Sequence, residues 1–442
     1  MLSKLRIVLS LLSIAAMIVP IQSNGQASSR RFRNLYSDDV NISNVTNVFR
    51  ANVGLLNFLD QGQRYLNKEL PDITPKFGDV YDFVVIGAGT AGAAIAARLS
   101  EISQVKVLLI EAGSNENLIM DIPVSAHFLQ LSNDINWKYR TKPSNKYCLG
   151  MNDKSCNWAK GKVMGGSSVL NYMIATRGGA EDYDRWAKMG NEGWAYKDVL
   201  KYFKKLETID IPELKSDTIY HGKKGPLNIA YPPFHTVLAE AFLKAGKELK
   251  YPTVDYNGKD IIGFSYLQST IKNGMRMSSN RAYLYPIHDR KNLHVTQKSM
   301  IVPNYFNDVE DIETMIAGIK VAIKIGQTKA MQMFDSQLSN DTFPECEGYT
   351  YDSFAYWECA IRTISFTTYH YSGTCKMGPR EDPTAVVDPK LKVIGVQGLR
   401  VADASIMPEI IAGHTNIPTY MIAEKLADMV KEEWGYLKKS QS

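Results

Sequence analysis

Two histidines and one glycine-rich turn are the residues whose types and spacing could do chemistry. The turn is Gly87-Ala-Gly89-Thr90-Ala91-Gly92, which follows the apolar run Asp82-Phe-Val-Val-Ile86. Gly87 permits a tight turn, Gly89 lets the backbone approach a pyrophosphate, and Gly92 lets the following helix pack close to a sheet with its first amides facing the phosphates. Glu111 falls nineteen residues after Gly92, at the end of a second apolar run, where a carboxylate can accept hydrogen bonds from adenosine ribose hydroxyls. This unit predicts a bound dinucleotide and leaves FAD and NAD equally open. His370 and His414 supply the other chemistry: a neutral imidazole titrating near pH 7 can take a hydroxyl proton. His414 stands just before a helix expected from Pro418 to Val430, capped by Asn416, whose positive end favours negative charge on a reduced cofactor ring and lowers the pKa of a nearby histidine.

The elements that must position these groups follow from the pattern. A strand over 82–86, a small-residue helix through Ala93–Ala97 and a strand from Val105 to Ile110 make a strand-helix-strand unit. The segment Gly161-Lys-Val163-Met-Gly165-Gly166-Ser-Ser-Val-Leu-Asn171 is a Gly/Ser loop. Such a loop can wrap a flat ring or a phosphate, or serve as an ordinary turn before a buried helix. Leu399-Arg-Val-Ala-Asp403 reads as another strand ending on an acid, followed by Ala404. A helix over Val309–Ile325 carries Ile312, Met315, Ile316 and Ile319 on one face, with Asn307 and Asp308 as capping candidates, and that stripe reads as core packing. An earlier helix, Asn52 to Glu69, presents Leu55, Leu56, Leu59 and Leu66 and is closed by Pro71 and Pro75.

Composition narrows the classes. With 442 residues and 45% hydrophobic content the chain can bury a large core, which argues for two domains or one with elaborate insertions. The net charge is +5, and no basic run with interleaved aromatics argues for nucleic acid. Met1–Ser23 has two positive charges, an apolar stretch from Ile7 to Ile21 and small polar residues after it, the pattern of a secretory signal peptide. The apolar run is too short for a stable membrane span. Sequons at Asn41, Asn44 and Asn340 agree with secretion and with a glycoprotein. Five cysteines lie as two close pairs, Cys148 with Cys156 and Cys346 with Cys359, so two local disulfides are the simplest assignment and Cys375 is left as a free thiol. No CxxC or HExxH spacing points to a metal.

Three separated segments resemble one family, the glucose-methanol-choline (GMC) oxidoreductases, with the likeness strongest to its insect glucose dehydrogenase group. They are Asp82 to Gly113, Gly161 to Asp184 and Tyr369 to Glu424; Thr367-Thr-Tyr-His370-Tyr-Ser-Gly-Thr-Cys-Lys-Met-Gly378 and Gly398-Leu-Arg-Val-Ala-Asp-Ala-Ser-Ile-Met-Pro408 are the most specific stretches. Gly274-Met-Arg276-Met-Ser-Ser-Asn-Arg-Ala-Tyr-Leu284 is also similar, and the likeness extends from about Asn52 to Trp434. The resemblance implies an α/β fold with a discontinuous FAD-binding Rossmann-type domain and an antiparallel-sheet substrate domain. After the signal-peptide pattern over 1–23 and an N-terminal extension over 24–77, it implies an N-terminal FAD-binding region over 78–300 with a substrate-domain insertion at about 186–255. A C-terminal region over 301–436 follows, its substrate part at about 301–385 and its FAD and catalytic part at 386–436. It further implies FAD as cofactor, oxidation of an alcohol or sugar at a CH-OH group, and a quinone or oxygen as acceptor. His370 resembles the catalytic base and His414 the second active-site histidine. Gly165 to Asn171, with Gly166 and Val163, resembles the loop against the flavin ring. Asp403 and Ala404 resemble the contact beside the ribityl and phosphates, and Asn416 is placed with the cofactor too.

The chain departs from the family in one place. Relatives carry on the order of 150 residues more, and the strand-like Asn292–Ser299 runs almost directly into Val302–Phe306. The family's second signature, a Gly-Ala segment followed by a Ser-Gly-Ile-Gly turn, is missing from the sequence. An internal deletion near residue 300 is therefore expected. Losing even one buried strand with three large apolar side chains forfeits roughly 5 to 9 kcal/mol of burial and leaves unpaired sheet edges. Two alternatives stand beside the oxidoreductase: a secreted non-catalytic pseudoenzyme or binding protein derived by this deletion, and an NAD enzyme, against which the histidine motifs weigh.

Overall fold

The computed structural model describes residues 71–437, apart from Asp72, Thr74, Asn133, 297–308, 339–341 and 364–369. The signal sequence, the 52–69 helix, the three sequons and the capping candidates Asn307 and Asp308 lie outside the described residues. The strands are short: β1 Phe83–Ile86, β2 Val107–Ile110, β3 Tyr139–Arg140, β4 Asn157–Trp158, β5 Glu207–Ile209, β6 Leu227–Ile229, β7 Ile271–Lys272, β8 Met275–Arg276 and β9 Leu293–Thr296. The helices used below are α1 Thr90–Leu99, α2 Ala180–Lys188, α3 Tyr196–Leu206, α4 Val309–Gly326, α5 Phe354–Thr363 and α6 Asn416–Glu433.

The strand-helix-strand unit forms as its sequence dictates. β1, β2 and β9 make a parallel sheet in that order, with Phe83 opposite Val107 and Val107 opposite Leu293. β2 begins at Val107, two residues later than the apolar pattern predicts, because Val105 N donates to Ile102 O and closes the preceding turn. Asn292 Nδ2 then donates to the carbonyls of Ser100, Ile102 and Val105, which fixes the entry to β9 against that turn. Ala93, Ala94 and Ala96 on α1 are fully buried against the sheet. Gly92 has no alternative there, since a Cβ would overlap the Gly87 carbonyl.

α6 lies along α1 and ties the end of the chain to its Rossmann-type start. Arg98 on α1 donates from Nε (2.8 Å) and Nη2 (2.8 Å) to the fully buried Glu424 carboxylate, and Tyr283 Oη donates to the same group at 2.8 Å. The other face of β1 differs. Phe83 and Val85 pack against the core, the Phe83 ring 4.9 Å from that of Trp434, but Val84 is 53% and Ile86 75% exposed, and β1 has no second strand partner among the described residues.

The expected strand over Leu399–Asp403 does not form. Only an isolated antiparallel bridge, Lys392 to Arg400, is made there; without a continuous ladder partner the segment bends into a 3-10 turn, Ala404–Ile406, capped by Asp403. Antiparallel ladders among the described residues are the two-stranded pairs β3-β4 and β7-β8, while β5 and β6 pair in parallel. On α4, Ile312 and Ile316 are buried with Ile361 of α5, and Ile319 packs against them. Met315, expected on the same stripe, is 49% exposed because the contact with α5 is narrower than the sequence stripe. The disulfides are Cys148–Cys156 and Cys346–Cys359, with Cys375 free, as expected. No helix among the described residues is long and apolar enough to cross a membrane.

Candidate active site

The cradle is built from the β1-α1 turn and the Gly/Ser loop pressed against each other. Gly87 has φ +91° and Gly166 φ +54°, and a Cβ on Gly166 would stand 2.7 Å from Gly89 Cα. Gly165 N donates to Ala88 O at 2.9 Å, which locks loop to turn. α1 starts after Gly89 with no side-chain cap and no acidic residue in its first turn, so the amides around Thr90 and Ala91 are left for an external acceptor. Glu111 is 6% exposed; its Oε2 accepts from Ala88 N (2.7 Å) and its Oε1 from Gly113 N (2.8 Å). Burial pushes its pKa up and the backbone amides push it back down. A carboxylate has about four lone-pair sites, so with amides of Ala88, Ala112 and Gly113 acting on it, capacity remains for a ribose hydroxyl. The residues present thus fit a dinucleotide: uncapped amides for the pyrophosphate and a fixed carboxylate for the sugar.

The two histidines, 44 positions apart in sequence, meet. His370 Nε2 and His414 Nδ1 are 3.0 Å apart, with their rings perpendicular. Desolvation, then the neighbouring imidazole, brings the His370 pKa down to about 4. Desolvation also lowers that of His414. Both are neutral at neutral pH, one donating its N–H to the other.

Three pairings set the position of His370. Gly373 N, Cys375 N and Met377 N donate to Ala404 O, Ser405 O and Ile406 O, lacing the strap that follows His370 to the turn after Asp403. Tyr371 packs its ring 4.1 Å from that of Trp158 on β4, under the Lys160 ammonium. Lys160 is drawn below its usual pKa by desolvation, against an upward pull from Asp403. His414 is fixed through its backbone: its N–H donates to Thr176 Oγ1 at 2.7 Å. Gly413 leaves room for that approach, because a Cβ there would lie 2.8 Å from the same oxygen.

The expected cofactor residues are distributed unevenly. Gly87, Gly89, Thr90, Ala91, Gly92, Glu111 and Gly166 form the cradle. Asn416 does not cap α6; Thr415 holds the cap position, and Asn416 Oδ1 instead accepts from Thr90 Oγ1 at 3.0 Å, joining the two helix starts. The first turn of α6 already contains Pro418, whose missing N–H removes one donor that a cap would satisfy. The Val163 side chain is fully buried with Met120, Leu129 and Val169, so only its backbone is available to a cofactor. Asp403 is exposed, its Oδ1 accepting from Ser405 N at 2.9 Å. Asn171 is half-buried, its Oδ1 accepting from Arg276 Nη1 at 2.7 Å.

Sequence reading missed a second set. Glu116 and Asp121 are buried beside Arg281, whose Nη2 donates to Asp121 Oδ2 at 2.9 Å. His221 is buried between Glu207 and Asp255, and Arg177 pairs with Glu207. Spacing gave no sign of these clusters, since their members come from segments with no shared period.

Comparison with known proteins adds the following. Residues 81–324 match the N-terminal family model of the GMC oxidoreductases and residues 288–423 the C-terminal one. Glucose dehydrogenase (FAD, quinone) of Drosophila pseudoobscura pseudoobscura is 30% identical over 549 aligned positions, covering 80% of this chain and 87% of that protein. Mitochondrial choline dehydrogenase of Mus musculus is 26% identical over 542 positions, covering 80% and 90%. Since 80% of a 442-residue chain is far fewer than 549 residues, the balance is sequence that the relative has and this chain lacks. The two family models overlap at 288–324, the stretch that holds the expected junction. Among solved structures, pyridoxine 4-oxidase from Mesorbium loti has a similar fold, with TM-score 0.70 at 22% identity over 81% of this chain and all of that one.

Proposed function

The chain belongs to the GMC oxidoreductase family, whose cofactor is FAD, and from that premise we propose that it oxidises the CH-OH group of an alcohol or sugar with His370 as the base. The observation that carries this reading is the 3.0 Å contact between two neutral imidazoles. A substrate hydroxyl that replaces this direct bond donates its proton to one ring nitrogen and accepts an N–H from the other, so a single pair both orients and deprotonates it. The low pKa of His370 keeps it an acceptor across the neutral range. Bound FAD supplies the hydride acceptor. The α1 amides would hold its pyrophosphate, Glu111 its ribose, and the loop ending at Asn171 its ring. Quinone or oxygen is proposed as the final acceptor, in keeping with the relatives' names. Secretion is proposed from the Met1–Ser23 pattern and two disulfides.

A second reading, a non-catalytic pseudoenzyme, draws on the open face of β1 and on the sequence this chain lacks relative to its relatives. The visible absorbance spectrum of the purified chain separates the two. A flavin spectrum that bleaches anaerobically on adding an alcohol or sugar supports the oxidoreductase; a colourless protein that stays apo when FAD is added supports the pseudoenzyme.

A further inference from the structure

Arg276, at the end of β8, is 1% exposed and makes no ion pair among the described residues. Burial lowers its pKa to about 10, so it remains charged at neutral pH. Part of its guanidinium is turned to oxygens instead: Nε donates to Met120 O (2.9 Å), and Nη1 shares its hydrogens among Ser168 O (3.0 Å), Asn171 O (2.8 Å) and Asn171 Oδ1 (2.7 Å), while Nη2 has no hydrogen-bond partner among the described residues. Three of these four bonds therefore go to the Gly165–Asn171 loop, the one that presses on Gly89 of the dinucleotide turn.

The bond to Oδ1 has a directional consequence. A guanidinium has donors only, so it can face only the oxygen of a carboxamide. Met173 N donates to the same Oδ1 at 3.1 Å, which adds a second lock. With the oxygen held by both, the NH2 group of the half-buried Asn171 is turned away from Arg276 and Met173 N.

We propose that Arg276 is a positioning residue for the cofactor: by holding Asn171 Oδ1 it obliges Asn171 to present N–H donors to the flavin, and so favours the reduced, more electron-rich ring. This rests on the FAD reading above. A donor fixed before reduction stabilises negative charge that develops on the ring, whereas a freely flipping amide would present its oxygen part of the time.

The test compares FAD affinity, by fluorescence, and flavin midpoint potential in the parent chain, Arg276→Gln, Asn171→Asp, Asn171→Leu and the Arg276→Gln/Asn171→Leu double variant. Arg276→Gln and Asn171→Asp are each expected to weaken binding of reduced relative to oxidised flavin by about tenfold, a midpoint lower by about 30 mV for a two-electron couple. The double variant is expected to match Asn171→Leu alone, because Arg276 acts through Asn171. A merely structural arginine would weaken both redox forms equally and leave the midpoint unmoved, which overturns the inference. Should Arg276→Gln fail to fold, Asn171→Asp decides alone: it keeps a partner for Arg276 and removes the donor, and an unchanged midpoint overturns the proposal. A parent chain that takes up no FAD overturns the cofactor reading and this one with it; one that binds FAD with a midpoint indifferent to both substitutions overturns this one alone.

Discussion

His370 and His221 are both shielded histidines hydrogen-bonded at a ring nitrogen, and they are driven in opposite directions. His370 faces another imidazole and has its pKa lowered to about 4 by desolvation and that neighbour. His221 is desolvated as well, but it is held between Asp255, 2.8 Å from Nε2, and Glu207, 3.2 Å from Nδ1, which together raise it to about 9. The partner, rather than burial, decides the sign. A histidine that must accept a proton is kept away from carboxylates, and one that cements three segments is clamped between two of them. Arg177 completes the clamp by pairing with Glu207, and Gln268 Nε2 donates to Asp255 Oδ1 at 2.7 Å, so this charged group is fully partnered.

The widest separation between the two is expected on substitution. His370→Ala should lower kcat by roughly 100- to 10,000-fold with flavin absorbance intact, the usual scale for a lost general base, measured by steady-state turnover with an alcohol or sugar. Loss of the flavin in that variant would mean that His370 serves the fold after all. His221→Leu should do the reverse. Leaving Glu207 and Asp255 buried without their shared cation should destabilise the fold by about 3 to 5 kcal/mol in denaturant titration, with kcat of the folded fraction unchanged.

The pH dependence sharpens the contrast. The depressed pKa of His370 makes the unfolded chain bind the extra proton, so its contribution to stability is lost as pH falls from about 6.5 to about 4. The raised pKa of His221 gives stability fully present below about 6.5 and lost as pH rises through about 9. Thermal melts across pH should therefore show two limbs, with the alkaline one missing in His221→Leu; a parent without an alkaline limb would break the comparison. Asp255→Asn has the smallest expected effect. It keeps a hydrogen bond to the imidazole and removes one charge, lowering stability by roughly 1 to 2 kcal/mol and moving the alkaline limb to lower pH.

Legibility in the sequence followed distance along the chain. The β1-α1-β2 unit could be read almost to the residue because turn, small-residue helix and carboxylate all lie within one stretch and each meets a local steric or hydrogen-bonding demand. The disulfides were readable for the same reason, their loops being short. His370 and His414 could be named from motif likeness, but their contact belongs to the lacing of 373–377 onto 404–406, which no periodicity announces. Leu399–Asp403 has the composition of a strand and lacks a ladder to join, so propensity without a partner misled. The Arg276 and His221 networks were invisible because each gathers separate segments, Arg276 reaching Met120 156 positions away and His221 reaching Asp255 34 positions away.

β1 carries a last consequence. Its outer edge has no neighbour among the described residues, and Val84 and Ile86 stand exposed on a β-branched strand with no charge or proline between Phe83 and Ile86. Unpaired amides and carbonyls in that setting are a template for any other extended chain, including a second molecule of the same protein. Among the described residues that flank is bare, so a higher concentration of the protein favours edge-to-edge pairing of two copies through it.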